Sequence, residues 1–90
     1  GLGDVYKRQA RGHQSEAQDR QSGAWDRQVR GGYHSDAANA HKVAAEKYRA
    51  LADAINAHGQ SSPEADQAYK AATDAGNAAA SRTQTANIYS

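Results

Sequence analysis

From residue 34 onward, mostly small side chains recur at alternating intervals of three and four without a slip. The first row reads His34, Ala37, His41, Ala44, Tyr48, Leu51, Ile55, His58, and the second reads Ala65, Ala68, Ala72, Ala75, Ala79, Arg82, Ala86, Tyr89. This spacing keeps one face of an α-helix against a neighbour, so each row is the packing seam of a helix. Between the rows, Gly59 stands where a helix wants a left-handed C-terminal cap, and His58 lies in the last turn, facing the negative end of the dipole. Ser61-Ser62-Pro63-Glu64 then announces a second start: either Ser62 caps with Pro63 at the first helical position, or Ser61 forms a capping box with Glu64. The expected fold is all-α, an antiparallel two-helix hairpin over residues 33–90 with helices at about 35–58 and 63–88 and a turn at 59–62.

A turn this short makes the helices antiparallel neighbours. Folding the chain at Gln60 sets Ile55 near Ala68, Leu51 near Ala72, Tyr48 near Ala75, Ala44 near Ala79 and His41 near Arg82. Large residues then meet small ones, and the axes can approach closely, as in a coiled coil with an alanine seam. The cost is a thin core. Beyond the first nine residues the only large aliphatics are Val29, Val43, Leu51, Ile55 and Ile88. Ninety residues with so little to bury should be marginal alone, which predicts self-association or packing against further parts of a parent protein.

The sequence before the first row reads differently. Residues 10–32 are rich in Gln, Arg, Asp, Ser and Gly, with Trp25 and Val29 as the only large apolar side chains. Such a stretch predicts a mobile polar leader, with a short helical turn from Ala24 to Arg30 that Gly31-Gly32 interrupts. Trp25 is expected to be exposed or loosely docked. The opening Gly1-Leu2-Gly3-Asp4-Val5-Tyr6-Lys7-Arg8-Gln9 resembles no protein family. Back-translated as GGG CTC GGA GAT GTG TAT AAG AGA CAG, it matches the end of a common transposase-type library adapter. The match implies that residues 1–9 are non-native, and they are set aside from the fold expectation. No Met occurs in the chain, and the accompanying expectation is a fragment of an open reading frame, assembled from environmental or transcript reads, whose true N-terminus lies upstream.

This exclusion also decides the charge argument. The whole chain carries a formal charge of +1, but residues 1–9 contribute Lys7 and Arg8 against Asp4, so the remainder holds nine basic and nine acidic residues and is neutral. Basic residues do not cluster and signs alternate along the outer faces, as with Asp66 and Lys70 or Arg49 and Asp53. That pattern belongs to a solvated surface and predicts no nucleic-acid partner. No apolar run approaches the ~20 residues of a membrane span, so no membrane partner and a soluble, cytoplasmic chain are expected.

Chemistry is sparsely provided for. His13, His34, His41 and His58 are the candidate metal ligands besides carboxylates, yet no His-x-x-x-His pair occurs and there is no Cys. The expectation is no metal and no cofactor. If His41 faces Arg82, the two cations repel and acid should loosen that end of the hairpin. Carboxylates sit at solvent-facing positions without apolar neighbours, and no Ser occupies a G-x-S-x-G elbow. No general acid, base or nucleophile is predicted, and no small-molecule substrate.

The segment Asp36-Ala-Ala-Asn-Ala-His-Lys-Val-Ala-Ala-Glu-Lys-Tyr-Arg-Ala, continued by Ala68-Tyr-Lys-Ala-Ala, resembles alanine- and histidine-dotted helical segments of tailed-phage structural and head-assembly proteins. The resemblance is compositional and covers about fifty residues. It implies a non-catalytic module serving assembly within a larger protein, with Tyr33, Val43 and Tyr69 on flanking faces for a partner. Two other readings remain open: an accessory helical segment of an enzyme whose active site lies elsewhere, and a hydrophilic protectant-like helical protein.

Overall fold

The structure, a computed structural model, describes residues 2–27 and 33–88. It contains three α-helices, α1 (Leu2–Arg27), α2 (Tyr33–His58) and α3 (Pro63–Ile88). The chain is thus all-helical, but it is not a two-helix hairpin. Residues 10–27 of the segment expected to be a mobile leader, together with all but the first of the nine residues set aside as non-native, form a helix as long as the other two. Val29 and Gly31-Gly32, where an interruption was expected, lie outside the described residues, as does Tyr89.

The turn between α2 and α3 follows from its residues. Gly59 has φ of 91°, a conformation that costs an L side chain 1–2 kcal/mol or so but glycine nothing. Its N–H donates to the Ile55 carbonyl at 2.9 Å, closing α2. Ser62, not Ser61, caps α3: its hydroxyl accepts from the Ala65 N–H at 3.1 Å and donates to the Gly59 carbonyl at 2.8 Å. Pro63 occupies the first helical position, where its missing N–H has no partner to lose.

The helices run up, down and up, with α2 in the middle. On α2, Ala37, Ala38, His41, Ala44, Ala45, Tyr48, Leu51 and Ala52 are buried, while Ile55 is half-buried and His58 exposed. The expected row is therefore only part of the packed surface. The residues next to it, Ala38, Ala45 and Ala52, form a second row, because α2 has two neighbours and not one. On α3, Ala65, Ala72, Ala79 and Ala86 are buried and Ala68 and Ala75 half-buried. Arg82 does not lie in the seam. It is exposed, with its guanidinium 4.0 Å from Asp36, and the half-buried Thr83 takes the inward position. A guanidinium is costly to desolvate, whereas a threonine hydroxyl is easily satisfied inside.

The packed face of α1 has the same period. Gly3, Ala10 and Ala17 are buried, and Tyr6, His13 and Arg20 are half-buried between them. These positions again alternate by three and four. Among the described residues Leu51 is the one large side chain less than 2% exposed; Tyr48, Ala10 and Ala72 surround it, and Tyr6, Ile55 and Ala68 pack against that cluster.

The cross-section is open on one side. The molecule measures 44 × 17 × 13 Å. Three helices in a closed triangle with axes about 8–10 Å apart would measure roughly 12–15 Å across in either direction, whereas three corners of a square would measure roughly 16–19 by 10–12 Å. The 17 Å width and, among the described residues, the lack of close backbone approach between α1 and α3 fit the second arrangement. The helices α1 and α3 face each other across the diagonal and are bridged by long side chains, Tyr6 to Tyr69 and Arg20 to Asn87.

Candidate functional site

The polar groups of the interior gather where α1 crosses α2. His41, on the inward row of α2, is only 7% exposed. Its Nδ1 lies 2.8 Å from Nδ1 of His13 on α1, and its Nε2 lies 2.6 Å from the Thr83 hydroxyl on α3. One chain of hydrogen bonds thus joins all three helices. In a contact between two Nδ1 atoms, one ring must donate and the other accept, so the accepting imidazole is neutral and carries its proton on Nε2. The Thr83 hydroxyl can donate or accept, so it tolerates either tautomer of His41.

Aromatic stacking holds the pair in place. Tyr48 inserts between Tyr6 and His13, which are seven residues apart on α1. Its ring stacks on His13 at 5.5 Å and 8°, and on Tyr6 at 6.1 Å and 15°. Tyr69 meets Tyr6 edge-on at 6.3 Å. A β-carbon at Gly76 would lie 3.1 Å from the Tyr48 hydroxyl oxygen, so the bare backbone of α3 makes room for the tyrosine. Burial, and then the neighbouring Tyr69 and Tyr6, push the Tyr48 hydroxyl above its ordinary pKa, and it stays neutral.

Further along α1, Glu16 pairs with Arg20 at 2.9 Å, and Arg20 donates to the Asn87 side chain at 2.8 Å. Glu16 and Asn87 line a groove of about 630 Å³ between α1 and α3, with Gln9, Gly12, His13, His41, Ala80, Thr83 and Gln84. A smaller hollow of about 240 Å³ near the α2–α3 turn is lined by Leu2, Tyr6, Leu51, Ile55, Gln60, Ala65, Asp66 and Tyr69.

Both histidines are held below their ordinary value of 6.5. For His13 the cause is burial, opposed by the Glu16 carboxylate. For His41 it is burial and then the facing His13, with Glu16 acting upward and Arg20 downward. His41 was expected to face Arg82; it faces Thr83 and His13, and the cation that bears on it is Arg20. Likewise Tyr48 stands over Gly76 rather than Ala75. Both pairings move by one residue in the same sense, because α3 turns its 76/83 side toward α1 once a third helix is present.

Among the described residues no group of three or more His, Cys, Asp or Glu is arranged to hold a metal ion. Likewise, among them, no helix is long and apolar enough to cross a membrane. Of the residues expected to face a partner, Val43 and Tyr69 are about half exposed at 46% and 48%, and the side chain of Tyr33 lies outside the described residues, as do those of His34 and Trp25. The sequence named His13 only among candidate metal ligands, and its packing against His41 was not expected. The signal was the interval of seven that relates it to Tyr6 and Arg20, with Ala10 and Ala17 on the same face. No protein family, curated protein or solved structure matches the chain.

Proposed function

We propose that the chain is a non-catalytic helical assembly module, and that its open corner receives a helix from a second copy. The observation that carries this reading is the diagonal placement of α1 and α3, with the groove of about 630 Å³ between them. Three helices at the corners of a square bury less than four would. The interior supports the same conclusion, since among the described residues its buried hydrophobics are alanines apart from Tyr48 and Leu51. Each alanine methyl contributes only about 0.8 kcal/mol, and a second copy would add the contact area that the single chain lacks. A symmetric pair covers the same surface on both copies, so neither groove is left open.

A non-catalytic role is supported by the way the polar cluster satisfies itself. The histidines bond to each other and to Thr83, and the nearest carboxylate, Glu16, is engaged by Arg20. Nothing in that arrangement leaves a base aimed at the groove with a carboxylate behind it. We further propose that residues 1–9 derive from library adapter and that the parent is a phage-type structural protein, readings supported by the codon match and by the composition of residues 36–50 and 68–72. Recovering the upstream reading frame tests both: other codons ahead of Ala10 support the first, and an enzyme domain in the same frame contradicts the second.

The assembly reading is tested by sedimentation velocity and circular dichroism over a dilution series. A dimer at micromolar concentration, with helicity that falls on dilution, is expected. A monomer whose helicity is unchanged down to nanomolar concentration contradicts it.

A further inference from the structure

We infer that the His13–His41 contact is a proton-counting latch that holds α1 on the α2–α3 hairpin and lets it go when the pair takes up its second proton. The inference is independent of the assembly reading. It starts from the 2.8 Å between the two Nδ1 atoms, which leaves space for a single hydrogen. A neutral pair has one hydrogen there. A singly protonated pair also has one, since the extra proton goes to an Nε2, where the Thr83 hydroxyl can accept from His41. Doubly protonated, both Nδ1 atoms carry hydrogen and point at each other, and the bond becomes a contact between two cations. The first proton is therefore tolerated and the second is not.

The surroundings offer that second proton one carboxylate, Glu16, and Arg20 already engages it. From α1 the charged groups facing the pair are Glu16 and Arg20, of opposite sign and bonded to each other at 2.9 Å. From α2 the titratable neighbour is Tyr48, which is neutral. From α3 the facing residues are Ala80, Thr83, Gln84 and Asn87, none of them charged. Asp36 and Arg82 are exposed and lie against each other. The lowered pKa of each histidine agrees with this geometry.

The element set free is α1, because it carries His13, whereas α2 and α3 lie together on the Thr83 side of the pair and stay joined through their capped turn. The described buried positions of α1 are Gly3, Ala10 and Ala17, whereas the α2–α3 contact retains Ala65, Ala72, Ala79 and Ala86, a short capped turn and the Tyr48–Gly76 fit. Releasing α1 uncovers Tyr48 and His41 on α2.

The test is an NMR titration of the full chain from pH 8 to pH 4.5 at one fixed concentration, following the histidine ring signals and the backbone amides together. His13 and His41 should titrate in two coupled steps. The amides of Ala10 and Ala17 should move to unfolded-chain positions only with the second step, while those of Ala44, Ala72 and Ala79 stay in place. His58→Gln should leave this transition unchanged. His13→Gln removes the second charge, so α1 in that variant should lose its pH response, whether it remains docked or is undocked at every pH. Independent titration of the two histidines with unmoved α1 amides overturns the inference, as does simultaneous loss of all three helices, or a His13→Gln variant that still releases α1 between pH 6.5 and 4.5.

Discussion

Gly3, Gly12 and Gly76, all inside helices, test the packing one residue at a time. Replacing a mid-helix glycine by alanine ordinarily gains about 0.5–1 kcal/mol. At Gly12 nothing lies within 4 Å of an added β-carbon, so Gly12→Ala should raise the urea midpoint by that amount. At Gly3 the added carbon would come 2.9 Å from the end of the Asn56 side chain, which is exposed and can turn away, so a smaller gain is expected. At Gly76 the carbon meets the Tyr48 hydroxyl at 3.1 Å, and Tyr48 is wedged between Tyr6 and His13. Gly76→Ala should therefore destabilise in spite of its better helix propensity, by roughly 1–3 kcal/mol as for other overpacked cores. Leu51→Ala deletes the largest fully buried side chain and should cost about 2–5 kcal/mol. For a domain this small that loss is enough to abolish the unfolding transition seen by circular dichroism at 37 °C. Protonation belongs to the same scale. Because His13 and His41 are held below 6.5, their contribution to stability is complete above pH 6.5 and is lost as pH falls below it. Denaturation midpoints at pH 7.5 should exceed those at pH 5, and the gap should narrow in His41→Gln.

At the scale of elements, α2, α3 and the turn between them were legible because their signals are local. Gly59 needs a positive φ, Ser62 and Pro63 start a helix, and rows of alanine mark the faces. The α1 helix was not legible for a physical reason as well as an interpretive one. Its buried positions among the described residues are a glycine and two alanines, which contribute little to any hydrophobic periodicity, and Tyr6, His13 and Arg20 alternate with them as half-buried residues. A helix whose inward face is so polar reads as solvated chain until a partner for that face is known. The same omission shifted the α3 register: with two helices Arg82 fills the row, and with three helices Thr83 does. The nine leading residues make this consequential, since Tyr6 and Gly3 lie among them. A chain beginning at Ala10 keeps His13, Ala17 and Arg20 but loses the outer face of the Tyr48 stack. It should retain the α2–α3 hairpin with weaker amide protection in α1, measurable by hydrogen exchange at pH 7.5. Unchanged protection of α1 would show that Tyr6 contributes nothing to its docking.

At the scale of the whole molecule, α1 is a docked helix parallel to α3 across the diagonal of an incomplete square. That arrangement gives the histidine pair its place, leaves the groove open, and separates the structure from a hairpin trailing a loose tail. Spin labels measure it most directly, using the exposed positions Lys7, Lys70 and Gln84, in dipolar spectra at pH 7.5 with labelled chain diluted into unlabelled. Lys7 and Lys70 sit beside Tyr6 and Tyr69 at one end, while Gln84 is fourteen residues further along α3, an axial offset of roughly 21 Å. The Lys7–Lys70 distance should be short and narrowly distributed and the Lys7–Gln84 distance longer and equally narrow. Two broad, overlapping distributions would mean that the first helix does not dock, and would contradict the account.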